Sequence, residues 1–185
     1  MKIALLSNTA WYLWNFRRGL IQALQANGET IYIVAPNDEA IPKLQKIGCQ
    51  ILQIDLSAKG VNPVEEIKVV FNYLKILKET GPDAILTFTI KPVVYGGLAA
   101  RYLRIPVVHT ITGLGTVFIT PGWITQIVRF LYRIALSSAH RIFFQNVDDR
   151  KLFEDMNIIE LGRSEIIPGS GIDIHHFVLG GLGSR

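Results

Sequence analysis

Residues Pro106–Phe118 read PVVHTITGLGTVF. The apolar pair Val107 and Val108 runs into an alternation of His109, Thr110, Ile111 and Thr112, which breaks at Gly113 and Gly115. The first half has the composition of a strand, and the glycines mark where backbone freedom begins. In an open parallel sheet, ligands bind outside the carboxyl ends of the strands. A strand that stops at Gly-Leu-Gly therefore puts free N–H groups on the edge where a ligand is expected. An ordinary strand-to-loop turn gives the same pattern.

Outward from this segment the chain alternates. Upstream, strands are expected at Lys2–Ser7, Thr30–Ala35, Gln50–Leu56 and Asp83–Thr89, with helices at Asn15–Asn27, Glu39–Ile47, after Asn62, and from Lys91 through Tyr102. The helix after Asn62 has the strongest start signals: Asn62 as cap, Pro63 at the first helical position and Glu65 to complete a capping box. Val64, Ile67, Val70, Phe71, Leu74 and Leu77 read as its apolar stripe, and Glu65, Glu66, Lys68, Lys75, Lys78 and Glu79 as its wet face. Downstream come a helix over Gly122–Ala139, a strand over Arg141–Gln145, a helix over Asp148–Asn157 and a strand over Glu165–Pro168. Strands and helices in strict alternation predict an α/β three-layer sandwich with a mainly parallel sheet, Rossmann-like in character. Residues 1–177 are expected to form this one domain, and 178–185 a flexible tail or cloning remnant.

The composition agrees with a folded domain. Of 185 residues, 49% are hydrophobic and 18% charged, the globular range. A mean hydropathy of +0.30 raises the question of a membrane span, but the most apolar helix carries Arg129 and Arg133 at its middle, where a lipid core disfavours them. A single cysteine, Cys49, makes no internal disulfide and fits a reducing compartment. A net charge of +4 favours anionic partners without naming one.

Several chemistries are disfavoured. The turn after the first strand is SNTAWYLWN, with neither GxGxxG nor a P-loop lysine. No His, Cys and Asp cluster has zinc spacing, so no metal is expected, and the adjacent His175 and His176 read as a surface pair. Gly169-Ser170-Gly171 does not match a nucleophile elbow. Nucleic-acid binding is the weakest class, because no basic stripe with interleaved aromatics extends beyond Trp11–Arg18.

Three places carry possible function. Trp11–Arg18 joins aromatic faces to Arg17 and Arg18 at a helix start, a combination suited to sugar rings and phosphates. The glycine turn carries His109 and Thr112, although a lone strand histidine is more often core. Trp123, Arg129, Phe130 and Arg133 lie on a helix apolar nearly all round, which suits either a membrane interface with snorkelling arginines or a buried position.

KIALLSN at the start, Asn15-Phe16-Arg17, Val34-Ala35-Pro36, the Thr-Gly-Leu-Gly of residues 112–115, Phe144-Gln145-Asn146 with Asp149, and the closing IIPGSGIDIHHF together resemble the N-terminal half of a family 4 glycosyltransferase. The resemblance is to the bacterial kind that builds polyprenyl-diphosphate-linked glycans. It implies one half of a GT-B enzyme, acceptor-binding, with the nucleotide-sugar donor held mainly by a C-terminal half that this sequence does not include. No cofactor is implied beyond that co-substrate. The implied activity is retaining hexosyl or N-acetylhexosaminyl transfer to a lipid-linked glycan, lost without the second half, at the cytoplasmic face of the cell membrane. Asn15, Arg17, His109, Thr112, Gly113 and Gly115 are the expected acceptor-side residues. Trp123, Arg129, Phe130 and Arg133 are the expected contact to an anionic membrane, and the exposed interdomain face leads us to expect a homodimer. Many relatives carry a histidine where this chain has Thr112, and a Gly-Gly turn after the first strand. The rival reading is a stand-alone Rossmann-like module that binds a phosphorylated ligand or a protein partner without chemistry.

Overall fold

Seven parallel strands order the chain. In the computed structural model, which describes residues 1–56, 63–113 and 122–171, β1 (Lys2–Leu6), β2 (Thr30–Ala35), β3 (Gln50–Gln53), β4 (Ala84–Phe88), β5 (Val107–Ile111), β6 (Arg141–Phe144) and β7 (Ser164–Ile166) form one sheet. Its order is β3-β2-β1-β4-β5-β6-β7. The central registers pair Ile3 with Ile31 and with Ala84, and Ile85 with Val107. Side-chain alternation divides β1 between two cores. Ile3 and Leu5 pack with α1 (Ala10–Phe16), α2 (Arg18–Ala26) and α3 (Ile41–Lys46), while Ala4 and Leu6 join Val69, Tyr73 and Leu77 of α4 (Pro63–Thr80) and Ala99 and Ala100 of α5 (Gly97–Leu103) on the other face. Both faces are thus covered, as an all-parallel sheet requires. A third cluster joins Ile111 and Ile142 to α6 (Trp123–Ser137) and α7 (Val147–Asp155) through Tyr132, Phe144 and Phe153. The two ring pairs there are edge-on, at 5.2 and 5.4 Å.

Three local readings change. The turn expected over Asn8–Trp14 is helical from Ala10, because Thr9 caps it with an Oγ1 that accepts from the Tyr12 N–H at 3.1 Å. That helix then breaks at Arg17 and restarts as α2. The helix expected from Lys91 holds a π-helical turn, Pro92–Gly96, before it continues as α5.

The third change concerns α4. Its buried residues are Glu66, Val69, Tyr73 and Leu77, whereas Ile67 and Phe71 stand 57% and 64% exposed. Glu66, expected on the wet face, is buried because its carboxylate accepts from Lys91 Nζ at 2.7 Å. The helix has more apolar residues than one face can bury, and the ion pair turns it so that the surplus faces out. Asn62, the expected cap, lies outside the described residues.

Candidate functional site

The strand order reverses between β1 and β4, since β1 leads to β2 on one side while the chain returns to β4 on the other. Such a point opens a crevice at the carboxyl edge. It is closed at the backbone by Asn8, whose N–H donates to Thr89 Oγ1 at 3.0 Å. Thr89 also donates to the Phe88 carbonyl and holds a φ of 68°. A β-branched residue in the left-handed region is strained, and such strain collects at functional sites.

Above this edge α1 carries Tyr12, and Arg17 stands at the break that ends it. Arg17 is 91% buried by its fractional exposure of 9%. Its guanidinium carbon lies 4.8 Å from the Phe88 ring centre and 5.5 Å from that of Tyr12. One terminal nitrogen donates to the Tyr12 hydroxyl at 2.8 Å. The chain past β7 comes back over the same place: Ser170 Oγ lies 3.4 Å from the Tyr12 hydroxyl and accepts from Gln145 Nε2 at 2.8 Å. Asn15, Arg17, Arg18, Ser170 and Gly171 border one open pocket of about 440 Å³. The Asn15 amide nitrogen is committed to the Trp11 carbonyl at 2.8 Å.

Thr112 and Gly113 end β5 on this edge, half-buried, with Gly113 at a φ of 149° that favours glycine. Gly115 lies outside the described residues, as does the His175-His176 pair. His109 does not reach the edge. Its ring is fully buried, with Nδ1 2.7 Å from Thr87 Oγ1. Burial pushes the imidazole pKa down to about 3, against the raising effect of the Ala135 backbone. A Cβ on Gly97 would stand 2.9 Å from its Cε1, so α5 approaches the ring closely only because residue 97 is glycine. His109 is a core residue, and its expected place among ligand-side groups is corrected on that ground.

The four residues expected at a membrane divide between two faces of α6. Trp123 and Phe130 stand 72% and 59% exposed, joined by Ile127. Arg129 and Arg133 turn to the end of α7, donating to the Met156 carbonyl at 3.2 and 3.3 Å, with Arg133 also reaching Asn157 at 2.8 Å. These arginines cap a helix C-terminus, so their position is fixed by the protein. Beside the exposed stripe, Ile67, Phe71, Tyr95, Trp123, Ile127 and Leu131 line an apolar groove of about 390 Å³ between α4 and α6. No helix is long and apolar enough to cross a membrane, and no cluster of metal-ligating side chains occurs, among the described residues.

Sequence reasoning reached Arg17, Asn15, Thr112 and Gly113 but passed over Tyr12, Thr89, Gln145 and Ser170 as site residues. Tyr12 lay inside the aromatic run and Gln145 inside the FQN motif. The backbone strain at Thr89 has no sequence signal.

Residues 2–146 match the family described as glycosyl transferase 4-like. An N,N'-diacetylbacillosaminyl-diphospho-undecaprenol alpha-1,3-N-acetylgalactosaminyltransferase of Campylobacter jejuni is 28% identical over 182 residues, 96% of this chain and 48% of its own length. The chain thus spans about half of this curated relative. Among solved structures, a glycosyltransferase from Rickettsia africae superposes with a TM-score of 0.67 at 17% identity, over 90% of this chain and 42% of its own. UDP-GlcNAc 2-epimerase from Neisseria meningitidis, bound to UDP-GlcNAc, gives 0.65 at 17% identity, over 92% and 47%. At such identities the likeness is one of fold: a seven-stranded α/β unit that makes up about half of each larger protein.

Proposed function

The chain belongs to the glycosyl transferase 4-like family, and from that premise we propose that it is the acceptor-binding half of a bacterial transferase. The transferase moves an N-acetylhexosamine from a nucleotide sugar to a polyprenyl-diphosphate-linked glycan, with retention at the anomeric carbon. The observation that carries the reading is the near-complete match of this chain to half of the Campylobacter transferase. The switch-point crevice supports it: a buried cation, neutral hydroxyls and a positive-φ glycine, Gly113, gather where a ligand binds in such sheets.

In this reading the crevice residues bind and orient. Arg17 attracts the acceptor's negative charge, Tyr12 and Ser170 present hydroxyls, and Thr112 with Gly113 lets the β5 edge approach the sugar. Positioning of this kind converts encounter into effectively unimolecular reaction. Donor binding, and the electrostatic stabilisation of the departing diphosphate, fall to a second domain. Trp123, Ile127 and Phe130 rest on the cytoplasmic face of the membrane, where the lipid-linked acceptor resides. Arg129 and Arg133 hold α6 in place for that contact and add positive charge beside anionic headgroups.

The test is flotation of the protein with anionic liposomes, with and without a polyprenyl-diphosphate glycan. Binding should rise when the glycan is present and fall several-fold in Trp123→Ser/Phe130→Ser, as loss of two membrane-contacting aromatics predicts. Equal recovery with and without the glycan, in both proteins, would overturn the acceptor reading and return the domain to the class of soluble binding modules.

A further inference from the structure

Arg17 marks a break between two helices and carries a charge that no described residue neutralises. Among the described residues no carboxylate lies within ion-pair distance of it, and its contacts are the Tyr12 hydroxyl, the Phe16 carbonyl and two aromatic rings. Its Nε is buried and has no hydrogen-bond partner. A buried cation without a counter-charge is costly, and an unmade hydrogen bond adds to that cost. An anion in the adjoining pocket, which Arg17 lines, would supply the missing counter-charge.

The backbone points the same way. α2 is nine residues long, Arg17 is its N-cap, and no side chain caps it and no acidic residue occupies its first turn. Its first N–H groups have no intrahelical acceptor, and they combine with the positive end of the helix dipole. A Cβ at Gly19 would meet nothing within 4 Å, so the space in front of that turn is open. Arg18 adds a second cation, its guanidinium 5.1 Å from the Trp14 ring centre, and borders the same pocket.

Ser170 completes the set by a count of protons. The Tyr12 oxygen accepts from Arg17, and the Ser170 oxygen accepts from Gln145. With the Tyr12 proton directed at Ser170, the serine's own hydrogen is left to donate into the pocket it lines. Asn15 and Gln22 are the neutral amides of the rim.

We infer that the α1–α2 break is a diphosphate cradle, built from the Arg17 guanidinium, the first N–H groups of α2 and the Ser170 hydroxyl. The open pocket of about 440 Å³ has room for a diphosphate. The helix-terminus geometry is the general one for phosphate groups, and the guanidinium fork suits two oxygens at once. The assignment deepens the proposed function and rests on it for one point only, the source of the diphosphate, which is either the lipid-linked acceptor or the nucleotide sugar.

The experiment is titration of the isotope-labelled protein with inorganic pyrophosphate at low salt, followed by amide NMR and calorimetry, with UDP and farnesyl diphosphate as parallel arms. Pyrophosphate should shift the amides of Arg18, Gly19 and Leu20. Arg17→Gln should weaken binding about tenfold, and Arg17→Lys should restore little of it, since an ammonium lacks the fork. Ser170→Ala, which removes a single hydroxyl, should weaken it about threefold, in keeping with one hydrogen bond. Unmoved amides at residues 18–20, or unchanged affinity in both Arg17→Gln and Ser170→Ala, would overturn the cradle. Farnesyl diphosphate binding more tightly than UDP supports the cradle on the acceptor side. UDP binding more tightly at the same amides supports the cradle and overturns the acceptor assignment, so the two readings fail separately.

Discussion

Acidification should unfold this domain in a way traceable to one ring. His109 is fully buried and its pKa is lowered from 6.5 to about 3. Below pH 6.5 the unfolded chain takes up a proton at this position and the native state does not, so the stability contributed by keeping the ring neutral is lost as pH falls from 6.5 towards 3. Each pH unit in that window is worth about 1.4 kcal/mol, so between pH 7 and pH 4.5 the loss is roughly 2.5 kcal/mol, a large part of a typical domain's stability. Carboxylates titrate in the lower part of the same range, so the comparison must be differential. His109→Gln has no proton to take up, and its amide oxygen can still accept from Thr87 Oγ1. Urea unfolding of both proteins at pH 7 and pH 4.5 should show the wild type losing roughly 2.5 kcal/mol more than the variant, whatever the variant costs at pH 7. Equal losses in the two proteins, or an imidazole NMR titration centred near pH 6.5 in the native state, would refute the reasoning.

Two further outcomes are expected. Gly97→Ala forces a methyl to 2.9 Å from His109 Cε1 and 3.1 Å from Ala135 Cβ, with a packed ring and a helix on either side, so thermal unfolding should report a loss of about 1–3 kcal/mol. Asn146→Ala removes the cap of α7, whose Oδ1 accepts from the Asp149 N–H at 2.7 Å, and should cost about 1 kcal/mol in the same assay, with the amides of α7 exchanging faster with solvent.

The fold was legible because its strands are short apolar runs separated by helices with clear stops. Gly28, Gly48 and Gly81 all adopt positive φ where the sequence places helix ends. Less legible was the orientation of elements. The α4 pattern offered Ile67 and Phe71 as core, and only the Lys91 contact, made from a segment 25 residues away, shows why Glu66 faces inward instead. The site followed the same division. Arg17 could be singled out because arginine beside aromatics at a helix start is unusual, whereas its burial depends on Phe88, which arrives from another strand. His109 misled for the complementary reason: alternation along a strand does not say which face carries a helix, and α5 and α6 cover the face it occupies. Ser170 became visible only once the chain had returned to α1 across 158 residues.

The apolar groove between α4 and α6 has an electrical side. Glu66 forms part of its lining and holds Lys91, which stands two residues beyond the strained Thr89 at the sheet edge. The pair is already largely shielded, its side chains 20% and 10% exposed, so hydrocarbon covering the groove would remove the remaining screening and tighten it further. A covered groove would thus insulate this contact and hold the Thr89–Lys91 turn more firmly.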